Sequence, residues 1–217
     1  MFLPSAAIGF TAMSKPPKII ILRHGEKKNS HELCTTGTRR AQALAAQFLG
    51  KKGTQSLLSK PPAAVLAITA HTIETATPAA QTWDLQPQAS PMPGRDKGKE
   101  KDSDLDTATQ QAAQDVLTNS AYADETVIMV WEHKRIASDK HNSARTSLRT
   151  LLRLDQATPP PPEEWEDDNY NFFWIVTYGP GNQVTVEIKQ QTFTDTFDDL
   201  PNNAWGAPEQ NKGADCE

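Results

Sequence analysis

Cysteine is scarce in this 217-residue chain, which has only Cys34 and Cys216. The two lie far apart and Cys216 is in a polar tail, so a disulfide framework is not expected. The cysteines therefore favour a reducing setting, and we expect a cytoplasmic protein. The opening stretch MFLPSAAIGFTAM agrees with this, because it lacks the basic start of a secretory signal.

Long apolar runs and an excess of basic charge are also missing. No uninterrupted apolar run approaches the roughly 18 residues that a membrane-spanning helix needs, so we expect a soluble protein that does not bind a membrane. The 22 lysines and arginines are outnumbered by 27 aspartates and glutamates, giving a formal net charge of -5. This balance does not favour nucleic acid as a partner, and any site for an anion must be a local feature.

Three short apolar runs predict strands that are buried on both faces. They are KIIIL (residues 18–22), AAVLAIT (63–69) and ETVIMVW (125–131). Further along the chain, NFFWIVTY followed by GPGN and QVTVEIKQQTF predicts an antiparallel hairpin.

Helical periodicity occupies the stretches between these strands. It predicts helices in TTGTRRAQALAAQFLGKKG, HTIETATPAAQTW, DTATQQAAQDVLTNS and NSARTSLRTLLRLDQ. In the second of these, Pro78 is tolerable only near the first turns. The alternation predicts an α/β three-layer sandwich, with a mostly parallel central sheet, helices on both faces and an antiparallel C-terminal hairpin.

A single domain is expected over residues 14–200. Residues 1–13 and 201–217 have little apolar surface to bury, and we expect these ends to be flexible or irregular. Residues 86–106 mix proline, glycine and both signs of charge, which predicts a mobile surface loop.

Three of the five histidines follow the three predicted apolar strands. They are His24, His71 and His133, in chain order. In open α/β sheets ligands bind beyond the carboxyl ends of the strands, so these side chains should converge on one crevice. Beside His24, Arg23 offers a fork of donors suited to phosphate, and Gly25 lets a ligand approach backbone N–H groups.

Four segments, in this order, resemble the histidine phosphatase (phosphoglycerate mutase-like) superfamily. LRHGE resembles its nucleophile motif, and ELCTTGTRRAQALA, TAHTIETATPAA and VIMVWEH are similar to the segments that follow it. The resemblance implies a phosphoric monoester hydrolase in which His24 accepts the phosphoryl group of a small-molecule substrate and water hydrolyses the phosphohistidine. It also implies that Arg23 binds the phosphate, that His133 is the second active-site histidine, and that no metal or other cofactor is required.

One position departs from the family's pattern. By the flanking match, His71 stands where a second phosphate-binding arginine is expected, and histidine is a shorter, single-point donor. The proton donor to the leaving group is also open between Glu132, Glu26 and the acids of the 86–106 loop. Because side chains alternate between the two faces of a strand, Glu132 is equally compatible with a direction away from the crevice. The candidate residues are catalytic His24, His133 and Glu132, and phosphate-binding Arg23, His71 and Asn29.

Two alternatives stay open. The substitution at His71 is consistent with a degenerate or repurposed member that binds an anionic ligand or partner without turning it over. Together with His24 and His133, and with Glu26 or Glu132, His71 would also form a nitrogen- and oxygen-rich set suited to zinc or iron, although a neighbouring arginine would repel a cation.

Overall fold

The computed structural model describes residues 15–89, 102–138, 145–210 and 212–217. The strands are β1 (Lys18–Arg23), β2 (Ala64–Ala67), β3 (Gln88–Ala89), β4 (Thr126–Trp131), β5 (Phe172–Tyr178) and β6 (Val184–Gln190). The α-helices are α1 (Thr35–Ala43), α2 (Ala70–Gln81), α3 (Asp102–Thr118), α4 (His133–Ile136) and α5 (Leu148–Leu151). A π-helical segment, Leu44–Leu49, continues α1, and 3₁₀ turns lie at Ser120–Tyr122, Leu154–Gln156, Pro180–Asn182 and Asp195–Phe197.

These strands form one mixed sheet in the order β3-β2-β4-β1-β5-β6. β3, β2, β4 and β1 are parallel, and β1 pairs with β4 from Lys18 opposite Thr126 to Arg23 opposite Trp131. β5 is antiparallel to β1, and β5 and β6 form a hairpin at one edge. The predicted mostly parallel sheet with an antiparallel C-terminal hairpin is therefore confirmed.

Both faces of β1 are buried, because helices cover both faces of the sheet. Ile19 and Ile21 pack into a core with α3 and α5, whereas Ile20 and Leu22 pack into a second core with α1, its π-helical extension and α2. All four side chains are fully buried. A strand buried in this way must be apolar at every position rather than at alternate ones, and the three-layer prediction is confirmed.

The second helix corrects the expectation for Pro78. α2 runs on past Pro78 to Gln81, although a proline this far into a helix removes a backbone hydrogen bond. The buried residues around it, Ala76, Ala79 and Ala80, are small, so the last turn packs closely against the second core. This packing holds the turn in place despite the missing bond.

Two other predicted segments are shorter than expected. The surface loop predicted for residues 86–106 gives way to β3 at one end and to the start of α3 at Asp102 at the other, and residues 90–101 lie outside the described part. In the stretch predicted as the last helix, only Leu148–Leu151 is α-helical, followed by the 3₁₀ turn at Leu154–Gln156. Residues 139–144 lie outside the described part.

The two cysteines form a disulfide, so the expectation drawn from their distance in sequence was wrong. Their Cα atoms are 5.2 Å apart across a sequence separation of 182, because the tail runs back over the start of α1. Disulfides are typical of oxidising compartments. The cysteines therefore no longer support the cytoplasmic prediction, which stays a prediction.

The described residues of the tail, 201–210 and 212–217, contain no helix or strand, yet they pack against the domain. The Trp205 ring lies 5.3 Å from that of Trp165 and 5.1 Å from that of Phe172. Residues 1–13 lie outside the described part. Among the helices that the structure describes, none has both the length and the hydrophobicity that crossing a membrane requires.

Candidate active site

The carboxyl ends of three adjacent parallel strands bring the predicted histidines together. His24 follows β1, His133 begins α4 after β4, and His71 lies in the first turn of α2, after β2. The ring centroids of His71 and His133 lie 5.7 and 6.3 Å from that of His24. The three side chains thus lie together beyond the carboxyl ends of the strands, where the strand pattern predicted a crevice.

His24 is fully buried at the centre of this cluster. Its backbone N–H extends the β1–β4 ladder by donating to Trp131 O at 3.2 Å. Its Nδ1–H donates to Gly25 O at 2.7 Å, which leaves the lone pair of the neutral ring on Nε2. Burial lowers the pKa of His24, and the opposing effect of Glu132 offsets this only in part. The favoured state is therefore a neutral imidazole with a fixed tautomer.

Glu132 faces Nε2 of His24 from the end of β4. Its Oε2 lies 3.1 Å from Nε2 without the alignment of a hydrogen bond. Oε1 accepts a hydrogen bond from Thr69 Oγ1 at 2.9 Å, and Lys27 Nζ lies 3.4 Å from Oε2. Burial would raise the pKa of Glu132, but the neighbouring His24 and Lys27 side chains together hold it well below its ordinary value. His24 and Glu132 are coupled, and a proton on either one changes the affinity of the other for a proton.

Arg23 lies beneath the segment that precedes β5. Its Nη1 donates to Asp167 O at 2.6 Å and to Glu166 O at 3.2 Å. The guanidinium carbon lies 3.7 Å from the ring centroid of Tyr170, and that ring lies 5.9 Å from the ring of His24. Arg23 Nε is buried and has no hydrogen-bond partner among the described residues. Backbone carbonyls thus engage Nη1, whereas Nε–H has no partner among the described residues.

His133 is held between a cation and a carboxylate. Its Nδ1 accepts from Arg23 Nη2 at 3.3 Å, and its Nε2–H donates to Asp167 Oδ1 at 2.7 Å. Burial and the charge of Arg23 lower the pKa of His133, so the ring is neutral. In this state His133 fixes Arg23 at the wall of the crevice.

His71 does not supply the charge that an arginine would bring to this position. Its Nε2–H donates to Asn29 O at 2.8 Å, and burial lowers its pKa to about 4. The side chain of Asn29 is bound within its own loop, where Oδ1 accepts from the backbone N–H groups of His31 and Glu32 at 2.8 and 3.0 Å. Asn29 thus meets His71 through its backbone, and its assigned role in phosphate binding stays a prediction.

Glu26 belongs to a separate buried cluster. Arg40 Nε, from α1, donates to its two oxygens at 3.0 and 3.1 Å. Burial opposes ionisation, but Arg40 lowers the pKa of Glu26. Burial, together with the neighbouring Glu26, raises the pKa of Glu209, from the tail, to about 8. Because both oxygens of Glu26 are paired with Arg40, Glu26 is no longer a candidate for the proton donor.

Two residues of the site, Tyr170 and Asp167, were not among the candidates named from the sequence. The direction of β5 relative to β1 would have identified them. β5 runs antiparallel to β1, so the residues just before β5 must lie beside the carboxyl end of β1. The stretch WEDDNYN, which contains both, occupies that place.

The metal alternative can be compared with this geometry. Ligand atoms of His24, Glu132 and His133 lie within 4.8 Å of one another. However, Nδ1 of His133 already accepts a hydrogen bond from Arg23 Nη2, and His71 donates its Nε2–H to a backbone carbonyl. The residues present do not fit a resident metal ion.

No protein-family model matches this sequence, and no curated protein sequence matches it. Among solved structures, 21 chains are similar to it. One of them is "Mycobacterial hydrolase 1", with 15% sequence identity and a TM-score of 0.46 over 80% of this chain and 97% of that chain. A similarity at this level gives no argument about activity.

Proposed function

We propose that this protein is a phosphoric monoester hydrolase that acts on a phosphorylated small molecule through a phosphohistidine at His24. The observation that carries the proposal is the state of this side chain. His24 is fully buried, its Nδ1–H is fixed by Gly25 O, and its Nε2 faces Glu132 Oε2 at 3.1 Å. A neutral imidazole with one available lone pair is the form that attacks a phosphoryl group. The resemblance of LRHGE and the three later segments to histidine phosphatases supports the same role.

The first chemical step forms one bond and breaks one. The Nε2 lone pair of His24 attacks phosphorus as the bond from phosphorus to the leaving oxygen breaks, and the product is a phosphohistidine. Water then attacks phosphorus, the N–P bond breaks, and phosphate leaves with the imidazole restored. The hydrogen bond from Nδ1–H to Gly25 O stabilises the positive charge that the ring carries in the intermediate.

Glu132 is the proposed proton donor to the leaving oxygen. An arriving phosphate brings negative charge next to Glu132, and like charges raise the pKa of a carboxyl, so Glu132 takes up a proton when substrate binds. It gives this proton to the leaving oxygen and accepts one from the attacking water in the second step. Thr69 Oγ1, at 2.9 Å from Oε1, keeps the carboxyl oriented.

Few cationic donors are available to the phosphoryl oxygens. Arg23 offers its unpartnered Nε, and Lys27 reaches the crevice beside Glu132. His71 is neutral, so the second arginine of the family's pattern has no replacement of equal charge. We therefore expect weaker phosphate binding than a site with two arginines would give.

A second candidate function is the binding of an anionic ligand without turnover. Two observations favour it. His71 donates to Asn29 O instead of presenting a charge, and Nη1 of Arg23 donates to the carbonyls of Glu166 and Asp167. In this alternative, the crevice holds an anion with too little charge stabilisation for phosphoryl transfer.

Hydrolysis of p-nitrophenyl phosphate separates the two candidates. We expect turnover by the wild-type chain and a loss on the order of 10³-fold or more in His24→Asn, because the nucleophile is removed. His31→Asn is the matched control, since His31 is an exposed histidine whose ring contacts Ser30; it should keep the wild-type rate. Phosphate binding by calorimetry without turnover would support the second candidate. Equal rates in His24→Asn and wild type would reject the phosphohistidine route.

A further inference from the structure

The tail (residues 201–217) is attached to the segment that carries His24, here called the nucleophile loop (residues 24–34). Cys34, the last residue of this loop, is joined to Cys216 by the disulfide. The backbone N–H of Cys34 donates to Glu26 O at 3.0 Å. One hydrogen bond therefore separates the disulfide from the residue two positions after the nucleophile.

Hydrogen bonds beside the disulfide fasten the tail to the same region. The backbone N–H of Glu217 donates to Lys27 O at 2.8 Å. The Asp215 carboxylate accepts from the backbone N–H of Thr35 at 3.0 Å and from its hydroxyl at 2.9 Å. The tail thus contacts both the nucleophile loop and the first residue of α1.

The nucleophile loop packs against α1 backbone to backbone. A Cβ atom on Gly25 would lie 2.8 Å from Gly37 O, and a Cβ on Gly37 would overlap the backbone of Glu26. Only glycine fits at both positions. Because no side chain lies between them to absorb a shift, movement at the start of α1 passes directly to the residues next to His24.

Glu209 provides a further attachment within the buried Glu26 cluster. Its Oε1 lies 3.8 Å from Arg40 Nη2, the nitrogen that also pairs with Glu26. That same nitrogen donates to Pro201 O at 3.1 Å. Both ends of the tail are therefore tied to residues that hold the nucleophile loop.

We propose that the tail is a positioning element for His24, with Cys216 and Glu209 as positioning residues, and that reducing the disulfide lowers turnover by loosening the nucleophile loop. This inference rests on the proposed phosphatase function. A misplacement of about 1 Å in a reacting group can lower a rate on the order of 10²-fold. Since the attachment acts on His24 rather than on the phosphate donor Arg23, the loss should fall on kcat more than on KM.

A dithiol is the reductant in this step. One of its thiolates attacks a sulfur of the disulfide, giving a mixed disulfide and releasing the other cysteine, which takes up a proton. The second thiol of the reductant then displaces the remaining cysteine and forms the reductant's own disulfide. Two electrons pass to the protein, which ends with thiols at Cys34 and Cys216, and a small disulfide reverses the exchange.

The test measures amide hydrogen exchange and p-nitrophenyl phosphate kinetics before and after treatment with a dithiol. In the reduced wild type we expect exchange in residues 25–34 to rise at least about tenfold, with exchange in β4 unchanged. We expect kcat to fall about ten- to a hundredfold, with KM nearly unchanged and full recovery on reoxidation. Cys216→Ser should match the reduced wild type, and a dithiol should have no further effect on it.

The exchange measurement keeps this inference separate from the proposed function. If the oxidised wild type shows no turnover, the phosphatase proposal fails, while exchange in residues 25–34 still tests the attachment. Unchanged exchange in that loop on reduction would overturn the inference. Raised exchange with unchanged kcat, or equal loss of protection in β4, would overturn it too, since the disulfide would then have no role at His24 or would only stabilise the whole fold.

A pair of variants with the disulfide intact makes a second test. Glu209→Ala removes the polar side chain that lies beside Arg40 in the Glu26 cluster, and Glu209→Gln keeps a polar group of the same size there. We expect Glu209→Ala to raise exchange in residues 25–34 and to lower kcat, and Glu209→Gln to restore both. Identical behaviour of the two variants would contradict a positioning role for Glu209.

Discussion

Glu132 and Glu26 are both carboxylates near His24, but the protein holds them in opposite ways. Arg40 donates to Glu26 from two nitrogens: Nε lies 3.0 and 3.1 Å from the two carboxylate oxygens, and Nη2 lies 2.5 Å from Oε1. Glu132 has one hydroxyl donor, Thr69, and a lysine 3.4 Å away, and its other close neighbour is Nε2 of His24 at 3.1 Å. A permanent, bidentate cation fixes the charge of Glu26, whereas the imidazole leaves Glu132 able to exchange a proton.

The difference shows how one residue type serves both structure and chemistry within a few positions of the nucleophile. A carboxylate whose oxygens are paired with arginine is a structural ion pair, and breaking it leaves a buried charge. A carboxylate whose main partner is itself titratable changes its proton affinity when a ligand arrives. The predictions below test this division, from the largest expected effect to the smallest.

Glu132→Gln should damage activity and leave the fold intact. Amide in place of carboxyl removes the proposed proton donor, and general acid catalysis contributes roughly 10²–10⁴-fold. We expect kcat for p-nitrophenyl phosphate to fall within that range, and more for a phosphate ester with a poorer leaving group. The free energy of unfolding, measured in urea, should fall by less than in Glu26→Gln, because the Lys27 partner of Glu132 is partly exposed. Wild-type kcat in this variant would remove Glu132 from the chemistry.

Glu26→Gln should do the reverse. It removes the nearer carboxylate of the buried Arg40 and leaves only Glu209, 3.8 Å from Nη2, and breaking a buried pair costs about 3 kcal/mol or more. Urea unfolding should show this loss, while residual kcat of the folded protein should exceed that of Glu132→Gln. Greater loss of kcat in Glu26→Gln than in Glu132→Gln would break the comparison.

His71→Arg tests whether the crevice lacks a cation. Arginine would bring a permanent charge and a fork of donors to the end of β2. We expect inorganic phosphate to bind about five- to tenfold more tightly, measured by calorimetry at constant ionic strength. His71→Lys separates charge from geometry, since it adds charge without the fork. Weaker phosphate binding in both variants would show that the neutral histidine has its own function in this protein.

Glu209→Gln should flatten the dependence of stability on pH. The pKa of Glu209 is raised to about 8 in the folded chain from an ordinary 4.5, so between about pH 5 and 8 the folded state binds a proton that the unfolded state lacks. Stability must then fall as pH rises through this window. Glutamine does not titrate, so the urea midpoint of the variant should change less from about pH 5.5 to 8.5. A steeper fall in the variant would contradict the protonated state of Glu209.

The sequence was sufficient for the elements that local pattern decides. Continuous apolar runs predicted β1 and β4, and the residues directly after them, His24 and Glu132, had to lie at one end of the sheet. The contacts that distinguish Glu26 from Glu132 were not predictable in this way. They depend on where α1 and the tail return to the nucleophile loop.

The disulfide and Tyr170 show the same limit. Cys34 and Cys216 meet because the tail folds back over α1, and no local pattern encodes that path. Tyr170 reaches Arg23 because β5 pairs with β1 in the antiparallel direction. Its place could be inferred once the strand order was known, but not from the polar segment in which it lies.

Trapping the intermediate tests the central claim most directly. Wild-type protein mixed with p-nitrophenyl phosphate is quenched in base, which preserves phosphohistidine, and its peptides are analysed by mass spectrometry. We expect one added phosphoryl group on the peptide that contains His24, a higher yield of it in the first turnover than after substrate is exhausted, and none in His24→Asn. Release of phosphate by the wild type with no phosphorylated His24 at any time of quenching would contradict the account.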